Sequence, residues 1–162
     1  MNEQLLELEA ILTNQLDVYS GLEKLVLEKK NYLVKGDIES LKKVDIEIEK
    51  NSLVLKDLEF KRTQVNKMFG KGNILLSEVI KSITDKEQAD RLEKIGHNLK
   101  RCILNIKKYN EMNSRLIEHG LKMIEQSVST ISRVLVPESS AYGATGKLKK
   151  VRSDISSVQR EA

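Results

Sequence analysis

The chain has 162 residues and is 40% hydrophobic and 32% charged but only 4% aromatic, with one proline, one cysteine and no tryptophan. That is enough for one domain with a modest core, and the profile of long helices with charged outer faces argues against the irregular, polar-lined pocket of most enzymes. The net charge of +4, from 28 basic and 24 acidic residues of interleaved sign, describes a solvated surface and excludes a dense basic footprint for nucleic acid.

The single cysteine, Cys102, permits no intramolecular disulfide, and its place on an apolar stripe marks it as a small core residue. The opening Met1-Asn2-Glu3-Gln4 is unlike a secretory signal, and no apolar run approaches the ~20 residues that span a bilayer. The expectation is a soluble, cytoplasmic protein without stable membrane insertion.

From Asn2 to about Val34, apolar residues fall at Leu5, Leu8, Leu12, Leu16, Tyr19, Leu22, Val26 and Leu33, mostly three or four apart. That spacing predicts a helix, with Ile11, Leu25 and Leu27 widening its apolar face. Gly36 sits where a glycine closes a helix, and Asp37 is placed to cap the next one.

The second helix is predicted from Ile38 to about Phe69, burying Ile38, Leu41, Val44, Ile48, Leu55, Leu58, Val65 and Phe69. Acidic residues early and basic residues late suit its dipole. The turn before it is short enough to require antiparallel packing against the first helix. Phe69-Gly70-Lys71-Gly72 breaks the pattern, and Ile74 to Ile83 reads as a short connecting helix.

Thr84-Asp85-Lys86-Glu87 has the spacing of a capping box, in which Thr84 and Glu87 satisfy each other's amides. The third long helix then carries Leu92, Ile95, Leu99, Cys102, Ile106, Tyr109, Asn113, Leu116, Met123, Ile131 and Leu135. At about 1.5 Å per residue it would reach roughly 75–80 Å, against about 45–50 Å for each of the first two. It must therefore bend, break or run past its partners, with Gly96 and Gly120 as its weak points. Pro137, the only proline, stops it.

The predicted architecture is all-α: an elongated antiparallel bundle of three long helices plus a short connecting helix over residues 1–136, with a flexible polar and basic tail over 137–162. The tail holds five basic and three acidic residues. Its Leu148, Val151, Ile155 and Val158 have helical spacing, but a helix this short is marginal in water.

Beyond Asn113 the third helix keeps offering apolar residues: Leu116, Ile117, Leu121, Ile124, Val128 and Ile131. If the shorter helices leave them uncovered, they form a surface for an amphipathic partner, with Met112 and Met123 as adaptable contacts.

Asn113-x-x-Leu116-Ile117, then Leu121 and Ile124, then Pro137 and Tyr142-Gly143-x-x-Gly146, resembles the C-terminal signature of the FlgN family of flagellar export chaperones. Gly36-Asp37-Ile38-x-x-Leu41 and Leu58-Glu59-x-x-x-Arg62 are compatible, so the resemblance covers roughly residues 3 to 146. It implies a cytoplasmic chaperone, not an enzyme, that binds the C-terminal segments of hook-associated proteins, prevents their premature assembly and delivers them to the flagellar type III export gate. Carried over, Asn113, Leu116, Ile117, Gly120, Leu121, Ile124, Val128 and Ile131 would meet the client. Tyr142, Gly143 and Gly146 would meet the export gate. The basic extension after Gly146 departs from the pattern. No cofactor is implied, and a monomer or weak homodimer is expected.

Two other readings compete. His97-Asn98-Leu99-Lys100-Arg101 is reminiscent of a histidine phosphotransfer site, although Arg101 stands where such sites carry glycine. The long helices also suit a self-associating coiled-coil scaffold. No metal-ligand spacing is spelled out: His97 and Cys102 lie five apart and His119 is remote. Gly70 and Gly72 lack the Lys-Ser/Thr of a phosphate loop.

Overall fold

The computed structural model describes residues 2–70 and 74–135. They form four helices: α1 (Asn2–Lys35), α2 (Ile38–Met68), α3 (Leu76–Lys81) and α4 (Lys86–Leu135). The fold is all-α, with three long helices and a short connector. The chain divides into two units, Met1–Leu116 and Ile117–Ala162, so the division falls inside α4.

The α1–α2 turn follows from two residues. Gly36 has a φ of +69°, the left-handed conformation that closes a helix without a Cβ clash. The Gly36 amide then donates to the Leu33 carbonyl and the Asp37 amide to the Tyr32 carbonyl, the paired closure of a Schellman motif. The Asp37 carboxylate accepts from the Ser40 amide at 3.1 Å and so starts α2 as the sequence predicts. Ile38, expected inside, is 62% exposed: it is the first residue of α2, directly after the turn.

In the first unit, α1 and α2 are antiparallel. Gln15 Nε2 donates to Glu59 Oε2 at 3.1 Å, and Lys29 Nζ meets Asp45 Oδ1 at 2.6 Å. α4 runs parallel to α1. Arg91 Nε donates to Glu9 Oε1 at 2.8 Å, Asn105 Nδ2 donates to Glu23 Oε1 at 2.8 Å, and Ser20 Oγ lies 3.7 Å from Cys102 Sγ. Each of these pairs is 82 positions apart, so one register holds over this stretch. The connector α3 makes this possible by starting α4 at the end of the unit where α1 starts.

Two apolar clusters hold this unit. One joins Leu5, Leu8, Ile11 and Leu12 of α1 to Val65, Val79, Leu92 and Leu99. The other joins Leu22 and Val26 to Ile106, with Ile48, Leu55 and Tyr109 packed on it. Cys102 is buried here as a small core side chain.

α4 starts one residue later than a Thr84 cap requires. Lys86 is its first residue, and the Asp85 carboxylate accepts from the Glu87 amide at 3.0 Å. Asp85 therefore caps the helix in place of the predicted Thr84–Glu87 box. A carboxylate one residue nearer the helix meets its positive end directly and wins the competition. Helical pairing is continuous through Gly96 and Gly120, so neither glycine breaks the helix.

Candidate functional site

α4 presents one apolar line along its length. In the first unit that line is buried: Leu92, Leu99, Cys102, Ile106 and Asn113 face inward. In the second unit, Ile117, Leu121, Ile124, Val128, Ile131 and Leu135 follow at alternating steps of four and three. At 3.6 residues per turn their mean direction lies within about 30° of that of the buried line, so along α4 they prolong the same helix face. All six are exposed, from 40% at Ile117 to 74% at Leu135.

A strict four-three alternation is the seam of a coiled coil, which a partner helix fills by knobs-into-holes packing. One flank carries Glu118, Lys122 and Glu125. The other carries Gly120, Met123, Ser127 and Thr130. The Ser127 hydroxyl donates to the Met123 carbonyl and the Thr130 hydroxyl to the Gln126 carbonyl, each at 2.9 Å. Their polar groups are thus satisfied within the helix. Among the described residues, and apart from the helix's own backbone, a Cβ added at half-buried Gly120 would meet no atom within 4 Å.

The other predicted contact residues divide. Leu116 is half-buried at the last residue of the first unit. Asn113 is only 3% exposed, and its Nδ2 donates to the Val26 carbonyl at 3.1 Å. That side chain is occupied inside the molecule. Tyr142, Gly143 and Gly146 lie outside the described residues.

His97 is exposed, and its Nε2 sits 3.7 Å from Glu93 Oε1, a carboxylate that would repel a phosphoryl group. Among the described residues no cluster of three metal-ligating side chains occurs. A cleft of about 510 Å³ in the first unit is floored by Leu12, Gln15 and Tyr19 and walled by Glu59, Arg62 and Lys100. Two of its wall residues pair with each other, Arg62 Nη2 with Glu59 Oε1 at 2.6 Å. No described helix is long and apolar enough to cross a membrane.

The model of the FlgN family, described as FlgN protein, matches residues 1–150. The chain belongs to the FlgN family. No curated protein and no solved structure matches it. FlgN proteins are flagellar export chaperones, and that general role comes with membership. The match includes the whole exposed seam of α4 and reaches past Gly146.

Gln15, Gln88 and Asn113 are buried polar residues on the inner faces, and of these only Asn113 stands out in a search for apolar stripes, through its family motif. Gln15 was findable by phase: it completes the three-four series Leu5, Leu8, Leu12, Gln15, Tyr19, Leu22, Val26.

Proposed function

We propose that this FlgN-family chain binds the C-terminal segments of flagellar hook-associated proteins on the distal face of α4. Ile117, Leu121, Ile124, Val128 and Ile131 supply the apolar seam, and Gly120 lets the client backbone come close. Leu116 borders the seam. Asn113 holds the inner end of the helix in register and does not itself touch the client. The observation that carries this reading is the six-residue exposed stripe that prolongs a buried one on the same helix face.

The mechanism is occlusion. A client segment that buries its apolar side here cannot use that side to assemble. Removing some 800 Å² of apolar surface from water is worth roughly 20 kcal/mol gross at ~25 cal/mol per Å². Ordering the client and losing rotational freedom consume most of that, so the complex is releasable. The chaperone works in the cytoplasm, ahead of the export step.

Delivery falls to the tail. Tyr142, between small and polar residues and followed by Gly143 and Gly146, supplies an aromatic anchor for a component of the export gate. The test separates the two functions. In a flagellated host, Tyr142→Ala should leave capture of a hook-associated protein intact and reduce its secretion. Asp substitutions at Leu121 or Ile124 should abolish capture. Full capture by the seam variants would remove the client face from α4, and normal secretion by Tyr142→Ala would remove the tail contact.

A further inference from the structure

α2 buries one face and leaves a second apolar line on the opposite one. Its inward positions, Leu41, Val44, Ile48, Asn51, Leu55, Leu58, Arg62 and Val65, alternate steps of three and four, and none is exposed. Ile46, Leu53 and Phe60 recur every seventh residue and lie about 180° away at 3.6 residues per turn. They are 53%, 63% and 63% exposed. All three belong to the first unit and none to the α4 seam.

The charges around this line are arranged symmetrically about Leu53. Lys50 and Lys56 stand three residues to either side, and Glu49 and Asp57 four residues to either side. On a helix, positions i−3 and i+4 share one flank, and i−4 and i+3 share the other. Each flank of Leu53 therefore carries one cation and one anion: Lys50 with Asp57, and Glu49 with Lys56. Among the described residues Lys50 and Asp57 hold only local partners, Glu47 and Lys61, each at 2.7 Å. Among the described residues neither Glu49 nor Lys56 has an ion-pair partner.

We propose that the outer face of α2 is a self-association surface, on which a second copy of this chain docks antiparallel about a two-fold axis at Leu53. Reversal about that axis places like flank on like flank. Glu49 then meets Lys56 of the other copy, Lys50 meets Asp57, and both contacts are repeated by symmetry. Leu53 meets itself, and Ile46 meets Phe60, so a small side chain faces a large one. A parallel pairing would set Phe60 against Phe60 and Ile46 against Ile46, which packs less evenly. The surface is a single helix face, below the size of a permanent interface, so the dimer is weak and concentration-dependent. It stands whether or not α4 binds cargo, and it gives the weak homodimer expected from the sequence a definite surface.

Sedimentation equilibrium of the full chain over a concentration series tests the proposal. The wild type should shift from monomer to dimer as concentration rises. Leu53→Glu should abolish the shift without changing the circular-dichroism melt, since Leu53 is exposed. Glu49→Lys and Lys56→Glu should each weaken the dimer about tenfold, because each turns two attractive contacts repulsive. The doubly reversed chain should return to within about threefold of wild type. Orientation is read by disulfide trapping, which the buried Cys102 does not disturb. Ile46→Cys should cross-link to Phe60→Cys in a mixture and not to itself. A chain that stays monomeric throughout overturns the proposal. So does a dimer that survives Leu53→Glu but not Leu121→Asp, failure of the double reversal to restore it, or Ile46→Cys cross-linking to itself.

Discussion

Asn113 Nδ2 donates to the main-chain carbonyl of Val26 at 3.1 Å, and both residues are buried, at 3% and 1% exposure. This contact ties α4 to α1 at the last fully buried position on the inner face of α4. Beyond Leu116 the same face is open. Among the described residues Asn113 Oδ1 has no hydrogen-bond partner, and the amide is held there by its donor side. Asn113→Ala should lower the stability of the first unit by about 1–2 kcal/mol, through the lost hydrogen bond and the space left behind. Asn113→Asp should cost more, because it sets a buried carboxylate beside a carbonyl with no donor between them. Urea unfolding checks both. Client affinity, measured well below the melting transition, should change less than twofold in Asn113→Ala.

Leu121 and Ile124 adjoin on the open part of α4 and are 56% and 61% exposed. Neither supports the fold, so Asp at either position should leave the unfolding curve of the first unit unchanged. Burying the new charge against an apolar client should weaken binding at least about a hundredfold, and alanine at the same positions about tenfold. Titration calorimetry against a peptide from the C-terminal segment of a hook-associated protein measures both. A larger loss for Asp than for Ala identifies a desolvated contact; equal, small losses would leave the seam without a role.

How much of this was legible depends on what each signal reports. The α1–α2 turn could be read in full, because a left-handed glycine followed by an Asx cap is a local rule that nothing distant overrides. The excess apolar surface of α4 could be read from helix lengths alone. The start of α4 shifted by one residue, because Thr84 and Asp85 are both competent caps and spacing cannot rank them. Gln15, a buried polar residue, was hidden because a search for apolar residues passes over a glutamine whose hydrogen-bond partner, Glu59, is 44 positions away. The parallel alignment of α1 and α4 is likewise set by pairs such as Glu9 with Arg91, which local pattern does not contain. The outer line on α2 escaped for a different reason. Ile46, Leu53 and Phe60 raise the count of apolar residues without belonging to the three-four series of the core.

Asp37 links the α1–α2 turn to pH. Its carboxyl lies below the ordinary value of 3.8, first because it accepts hydrogen bonds at Ser40, then because Lys35 and Lys43 are near. A folded-state value below the unfolded one means the carboxylate stabilises the fold. That contribution is complete above the unfolded value of about 3.8 and is lost as pH falls through the lower folded value. Asp37→Asn keeps a capping oxygen without the charge, so it should melt slightly below wild type at pH 7, and the gap should narrow as pH falls below about 3.8. Asp37→Ala, with no capping oxygen, should melt below both at pH 7. Thermal melts of the three chains from pH 7 to pH 2 decide the matter, and a constant gap between wild type and Asp37→Asn would show that the charge contributes nothing.

The two glycines inside α4 should respond differently to alanine where client binding is concerned. A Cβ at Gly96 would lie 3.0 Å from Leu76 Cδ2, the far end of a half-buried side chain on α3. Alanine there gains about 1 kcal/mol of helix propensity and loses some of it in moving that methyl aside, so stability should change little and client binding not at all. At Gly120 no other described residue lies within 4 Å of the added Cβ, so the propensity gain is unopposed there. Gly120→Ala should slow amide exchange across Ile117–Leu135, as hydrogen exchange by mass spectrometry would show. If a client helix approaches closely along the Gly120 flank, the same methyl stands in its path, and affinity should fall about fivefold to tenfold despite the firmer helix. A better-ordered helix that binds less well requires a backbone contact at Gly120, since stability alone would move affinity the other way. Unchanged or tighter binding would mean that the client rests on the Leu121–Ile124 seam and leaves the glycine flank to solvent.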